Sequence, residues 1–208
     1  MTAELFTVAT KVTSGLERLQ MSLAKFEVPM TILGQGEAEF WGYGWRWKTF
    51  IRALNDSASD TVVHCDAYDT MCLEPLDSLL AKFATFSHPI VFGYEAQDQP
   101  EFWLGLNPGL MMADRKALLD VFDDKTLEEL FPNHFNDMYQ LQSLYSWNPS
   151  AFKLDKQGTM FHTLSPRSPE LVVQDNKLIN PATGLAPSFI HAPYGRDLAK
   201  VEQFITAA

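Results

Sequence analysis

The chain has 208 residues, of which 46% are apolar and 20% charged, and a formal net charge of −10. That is long enough to bury a sizeable core and too apolar to stay disordered, while no apolar run approaches a membrane span of ~20 residues. The acidic balance opposes broad non-specific binding to nucleic acid, which depends on displacing counterions from phosphates.

Local basic groups remain, namely Arg46, Lys48 and Arg52, and later Lys153 and Lys156. The opening MTAELFTVAT carries Glu4 where a signal peptide would be basic, so a cytoplasmic protein is expected. Cys65 and Cys72 have no second Cys or His at zinc-site spacing, and two small buried thiols are expected rather than a disulfide.

In chain order, ELFTVA reads as a first strand. Ser14 and Glu17 have the spacing of a capping box, and Leu16, Leu19, Leu23 and Phe26 form one apolar helical stripe behind it. VPMTIL (28–33) predicts a second strand, ended by the glycines of GQGEAEFWGYG, and a helix is predicted from Trp45 to Leu54. DTVVHC (60–65) is the third strand, and Pro75 suits the first turn of the helix carrying Leu76, Leu79, Leu80 and Phe83. PIVFGYEA (89–96) is the fourth, and LNPGLMMA (106–113) predicts a turn and a short fifth strand.

Asp114 can cap the helix RKALLDVF, and another helix is predicted from about Phe135 to Tyr145, with Phe135, Met138, Leu141 and Tyr145 inward. The last third mixes FKLD, TMFHTL, a hairpin turning at Asp175-Asn176, SFIHA and a short final helix. The alternation of strands and helices predicts an α/β sandwich with a mainly parallel sheet, and ligands then collect beyond the carboxyl ends of its strands. Thr10, the pair Asp66 and Asp69, and Glu95 all fall at such ends.

The stretch TVVHCDAYDTM leads from a buried strand into two carboxylates, Asp66 and Asp69. Read alone, the pair suits a turn cap as well as a hard divalent cation. A nucleotide diphosphate beside two bare carboxylates would meet repulsions of about 4 kcal/mol per close pair at an effective dielectric of 20, so a bound diphosphate would require the cation. Phosphatases with an aspartyl nucleophile space their aspartates D-x-D, and the D-x-x-D here fits that chemistry poorly.

TVATKVTSG (7–15), TILGQGE (31–37), VVHCDAYDTM (62–71), LNPGLMMA (106–113) and IHAPYG (190–195) follow one another in this order. Together they resemble the glycosyltransferase domain of the procollagen lysyl hydroxylases and related collagen-type and viral glycosyltransferases. The resemblance implies a single GT-A domain over residues 1–208, a mixed, mostly parallel sheet flanked by helices. It further implies a nucleotide-sugar donor, expected to be a UDP-sugar, with Mn²⁺ or Mg²⁺. Nothing corresponding to the family's hydroxylase domains is seen, and a stand-alone transferase is expected.

By the same resemblance, Asp66, Asp69 and His191 match the metal ligands, and Tyr68 matches the tyrosine that packs on uracil. Thr10 lies in the loop that meets the nucleotide, and Arg46 falls where the family has a lysine approaching the donor. Asn107 falls at the family's sugar-contacting asparagine, and Glu95 or Asp137 would orient or deprotonate an acceptor hydroxyl.

The chain departs from the pattern in three places. Ala192-Pro193-Tyr194 replaces a glycine-rich stretch, leaving Gly195 on the donor side and no N–H at Pro193. The acidic helix start is reduced to Asn136-Asp137, and the acceptor loop YEAQDQPEFW keeps only Glu95 and Trp103. Two acceptors are therefore carried forward: a hydroxyl on protein or glycan, or a hydroxymethylated DNA base near Arg46, Lys48 and Arg52. A module that binds nucleotide sugar without turnover is the reading outside catalysis.

Overall fold

A computed structural model of the chain describes residues 2–96, 104–132 and 136–207. Three strands, β1 (Ala3–Val8), β2 (Met30–Leu33) and β3 (Thr61–Cys65), run parallel with β1 in the middle. All of β3 is buried, which is why Thr-Val-Val-His-Cys shows no polar alternation. Adding β5 (Ile90–Tyr94), β6 (Leu106–Asp114) and β7 (Phe152–Asp155) gives a six-stranded sheet ordered β2-β1-β3-β6-β5-β7. β6 is antiparallel to both neighbours and every other pairing is parallel, as the mixed, mostly parallel expectation requires.

Helices cover both faces. α1 (Ser14–Lys25) and α3 (Leu76–Phe83) bury Leu19, Leu23, Leu79 and Phe83 against Val63 and Cys65. On the other face lie α2 (Tyr43–Ala53), α4 (Arg115–Val121), α5 (Asp124–Leu130) and α6 (Asp137–Trp147). Their Trp47, Phe50, Leu118, Leu127 and Leu141 share a cluster with Val62. Successive residues of β3 thus feed opposite cores, and Val62, His64 and Asp66 share the parity that points toward α2.

Several local expectations shift. α1 is capped by Thr13, whose Oγ1 accepts from Leu16 N at 3.4 Å, and not by a Ser14–Glu17 box. Gly15, in the first turn of α1, sits so close to the loop after β3 that a Cβ would fall 2.1 Å from the Tyr68 carbonyl oxygen. Pro75 occupies the cap of α3, one residue ahead of the helix. Asp114 caps α4 as expected, accepting from Ala117 N at 2.8 Å. α5 was not anticipated, because its seven residues bury only Leu127 and leave no readable stripe. α6 starts at Asp137, and Phe135 lies outside the described residues, as does Trp103.

The predicted turn at Asn107-Pro108-Gly109 lies within a continuous nine-residue β6. Along β5 the register jumps from Phe92 opposite Met111 to Gly93 opposite Asn107, so the intervening residues bulge. Gly109 meanwhile accepts from Asp66 N at 2.8 Å and extends the pairing with β3.

A second sheet joins β4 (Thr70–Cys72), β11 (Phe189–His191) and β8 (Phe161–Thr163) in the order β4-β11-β8. A hairpin of β9 (Val172–Gln174) and β10 (Lys177–Ile179) turns at Asp175 and Asn176, with φ of 48° and 60°. α7 (Ala199–Ala207) follows a short 3₁₀ turn at Pro193–Gly195. Among the described residues, no helix is long and apolar enough to cross a membrane.

The contact at Gly15 makes a direct prediction. Gly15→Ala must push α1 away from backbone rather than from a flexible side chain, and should cost about 1–3 kcal/mol. Urea unfolding measures it, and an unchanged midpoint would contradict the close approach.

Candidate active site

The carboxyl ends of β1 and β3 open into a cleft of about 440 Å³ lined by Thr10, Lys11, Tyr43, Arg46, Asp66 and Tyr68, among others. Tyr68 is half exposed, and its hydroxyl is tied to the β1–α1 loop by bonds to Lys11 N (3.4 Å) and Lys11 O (3.3 Å). Its ring is therefore fixed at the cleft wall. Asp66 and Asp69 follow β3, and β4 begins one residue later at Thr70.

That short strand, unseen in the sequence, explains how a distant histidine reaches the pair. β11 aligns His191 with Thr70, and Ala192 N donates to Asp69 O at 2.8 Å. As a result Asp66, Asp69 and His191 hold ligand atoms within 4.8 Å of one another.

His191 Nε2 lies 3.5 Å from Asp66 and 3.4 Å from Asp69, too long for well-made hydrogen bonds, and neither ring nitrogen has a protein partner although the ring is buried. Burial alone would lower the His191 pKa, but the nearby carboxylates of Asp69, then Asp66 and Glu95, outweigh it and raise it. Two carboxylates and an imidazole facing one point suit a divalent cation with an oxygen-rich shell, of the Mn²⁺ or Mg²⁺ kind.

Arg46 is buried and bridges two acids, pairing with both Asp66 and Asp137. Burial opposes its charge, and the two carboxylates more than restore it. Asp137 also accepts from Trp47 Nε1 at 2.7 Å. Trp47 packs in the core as its apolar surroundings suggest, and it is also a donor. Arg46 turns inward, while Lys48 and Arg52 both engage Glu128, at 2.9 and 2.7 Å, so the three cations do not form a free basic surface.

Glu95 and Asn107 are buried and bonded to each other, Asn107 Nδ2 donating to Glu95 Oε2 at 2.8 Å. Thr10 reaches the cleft as expected. Gly195 is exposed at the end of the 3₁₀ turn, with open space about its α-carbon, and is not among the residues lining the cleft.

Sequence reasoning passed over Phe40, Tyr43 and His64, all of which line the cleft. Phe40 packs edge-on against Tyr43 at 5.6 Å, and the Arg46 guanidinium lies 5.2 Å from the Tyr43 ring. Three half-exposed aromatics (Phe40, Trp41 and Tyr43) within one glycine-flanked segment were the available signal.

A mixed, mostly parallel sheet with a nucleotide-sized cleft at its carboxyl edge, and three residues beside it that could hold a cation, fit the GT-A fold of glycosyltransferases. The family model of the PLOD GT domain matches residues 2–105, and the chain belongs to that family of glycosyltransferase domains. Solved structures share the fold at low identity. A glycosyltransferase involved in glycosylating the major capsid of PBCV-1 superimposes with a TM-score of 0.61 at 12% identity, covering 99% of each chain. Mouse xyloside xylosyltransferase 1 in its apo form gives a TM-score of 0.56 at 10% identity, over 94% of this chain and 99% of that one. Glucosyl-3-phosphoglycerate synthase from Mycobacterium tuberculosis, in complex with phosphoglyceric acid, gives 0.50 at 16% identity, over 74% and 68%. No curated protein sequence matches the chain.

Two predictions follow from the buried charges. Arg46→Met leaves Asp66 and Asp137 without their shared cation and should cost about 3–5 kcal/mol of unfolding free energy. Arg46→Lys should lose less, since it keeps the charge but not the fork that serves both acids.

The second concerns His64, which stacks on Trp47 at 5.3 Å and whose pKa is pushed down to about 3 by burial and then by the charge of Arg46. Unfolded histidine titrates near ~6.5, so the unfolded chain binds the extra proton. The stability due to neutral His64 is full above pH ~6.5 and declines as pH falls toward 3. His64→Phe should flatten the acid limb of a stability-versus-pH curve.

Proposed function

We propose that residues 1–208 act as one metal-dependent transferase domain, moving a sugar from a UDP-sugar to an acceptor hydroxyl on protein or glycan. The observation that carries the reading is the convergence of Asp66, Asp69 and His191 beside a cleft walled by Tyr68. A cation bound there supplies Lewis-acid stabilisation of the departing nucleotide diphosphate.

The chain's own residues do the rest. Tyr68 offers its tethered ring to the base, Thr10 meets the nucleotide from the β1 loop, and Lys11 and Arg46 bring positive charge to the same cleft. Asp137 is 4% exposed and engaged by Arg46 and Trp47, so in this reading it acts by holding Arg46 in place rather than by taking an acceptor proton. Glu95, with no exposed surface, is equally remote from an entering hydroxyl before the acceptor binds.

Between the two acceptors, the pairing of Lys48 and Arg52 with Glu128 favours protein or glycan over DNA. A binding module without turnover would have little use for a full set of cation ligands. We place the protein in a reducing cytoplasm, where the buried thiols Cys65 and Cys72 stay unpaired.

Nucleotide release from a panel of sugar nucleotides, with Mn²⁺ and with chelator, tests the reading. Release should need the metal, and Asp66→Ala should lower it more than ~100-fold, beyond what losing a group behind the ligands costs. Full activity of that variant would sink the metal mechanism. Tyr68→Ala should weaken UDP binding by about 1–3 kcal/mol, the worth of one stacked base. Mass spectrometry of products from hydroxylysine peptide and hydroxymethylcytosine DNA separates the acceptors.

A further inference from the structure

Asp66 is a candidate cation ligand that already pairs with a cation of the protein's own. Arg46 Nη1 engages its Oδ1, whereas His191 Nε2 lies 3.5 Å from its Oδ2, so the two carboxylate oxygens face different neighbours. The other arm of the guanidinium, Nη2, pairs with Asp137 Oδ2, and that oxygen also accepts from Trp47 Nε1 at 2.7 Å. One chain of contacts therefore runs from the indole through Asp137 and Arg46 to Asp66.

Each link is confined. The Arg46 and Asp137 side chains are 9% and 5% exposed, and Trp47 is fully buried. The guanidinium lies 5.2 Å from the Tyr43 ring, and Nε of Arg46 has no partner among the described residues. Its two arms, one on each acid, thus carry its hydrogen bonds, and the guanidinium divides its charge between Asp66 and Asp137. At short range and partly out of water, a guanidinium beside a carboxylate cancels much of that carboxylate's attraction for a second cation. Asp137 draws Arg46 the other way and limits the cancellation.

We propose that Asp137 is a positioning residue that sets the cation affinity of Asp66 by sharing Arg46 with it. Arg46 leans on Asp137 while Asp66 serves a divalent cation, and it returns to Asp66 once the cation leaves. This inference rests on the cation-site reading above. It goes beyond holding Arg46 in place, because it makes the grip of Asp137 a determinant of metal affinity.

Two rival roles differ in what they imply. If Arg46 merely orients Asp66 for the metal, removing the arginine weakens the cation site further. If Asp137 merely props the fold, removing the arginine repairs nothing.

The experiment uses the whole chain without donor or acceptor. Mn²⁺ affinity is measured by electron paramagnetic resonance of the free ion, and the Trp47 indole N–H is followed by ¹H–¹⁵N NMR during titration with diamagnetic Mg²⁺. Asp137→Asn, whose amide oxygen still accepts from Trp47, should weaken Mn²⁺ binding about 10–100-fold, the range for a group behind the ligands. Adding Arg46→Met to Asp137→Asn removes the guanidinium together with its second acid, and should restore Mn²⁺ binding to the parent's or tighter. In the parent, Mg²⁺ should shift the Trp47 indole signal, because the oxygen it donates to takes on more of Arg46.

Unchanged Mn²⁺ affinity in Asp137→Asn overturns the proposal. So does a double variant that binds as weakly as the single one, or more weakly still. An indole signal that stays in place while Mg²⁺ binds overturns it too, and needs no variant to fold. In these three cases the parent still binds the cation, so the cation-site reading survives. A parent that binds neither ion removes that reading and this inference with it.

Discussion

Negative charge at the end of the central strands is the constraint around which this molecule is arranged. Asp66, Asp69, Glu95 and Asp137 converge there, the last two buried. Against them the fold sets Arg46, with Lys11 on the cleft wall and a histidine whose pKa the same acids raise. Carboxylates gathered in partly desolvated surroundings repel one another by several kcal/mol per close pair at an effective dielectric of 20, so the arrangement is stable only with compensating positive charge. Arg46 supplies part of it, and in the proposed function a cation between Asp66 and Asp69 would supply the rest. The same negative charge explains why lysine would be a poorer choice at position 46. A point charge serves one acid well, while a guanidinium fork serves Asp66 and Asp137 together.

The second requirement is geometric. The Asp66–Asp69 pair and a histidine from far along the chain must meet, and the small sheet makes them do so. Pairing β11 with β4 fixes His191 opposite Thr70 and ties Ala192 to Asp69. Gly109 clears room for the imidazole from the β6 side, and Gly15 clears room for the Asp66–Asp69 loop from the α1 side. Both glycines are explained by space around the site rather than by backbone angle. A side chain at either would displace a functional segment before it disturbed the core.

Much of this was legible in the sequence, for identifiable reasons. β3 and its aspartates were readable because a continuous apolar run ending in two acids is uncommon. Helices α1 and α3 were readable from leucine spacing, and the β9–β10 turn from Asp175-Asn176. The helix α5 was not, since one buried leucine makes no stripe, and neither was β4, whose three residues look like the tail of a loop. Without β4 the meeting of His191 and Asp69 could be expected only through resemblance to a family. Asn107-Pro108-Gly109 suggests a turn to any local reading, and it becomes a bulged strand because β3 continues to pair with Gly109 on one side while β5 loses register on the other.

Charge partners were the least legible feature of all. Arg46, Lys48 and Arg52 all lie on α2, but only Lys48 and Arg52, four residues apart, share a face, while Arg46 is two positions from Lys48 and points elsewhere. Their fates diverge because each neighbour comes from elsewhere: Asp66 from the end of β3 and Asp137 from the start of α6 for Arg46, and Glu128 from α5 for the other two. Since α5 itself was invisible, no local pattern could show that Glu128 neutralises the outer pair. Asp66 pairs with a permanent guanidinium and, in the proposed function, would share its charge with a metal as well. Whatever binds between Asp66 and Asp69 does so against an arginine already drawn in, and the strength of that opposition is set by Asp137, which pulls Arg46 the other way. In the proposed function, a carboxylate expected to handle the acceptor would instead tune how freely a cation is held at Asp66, by ordinary competition between charges over a few ångströms.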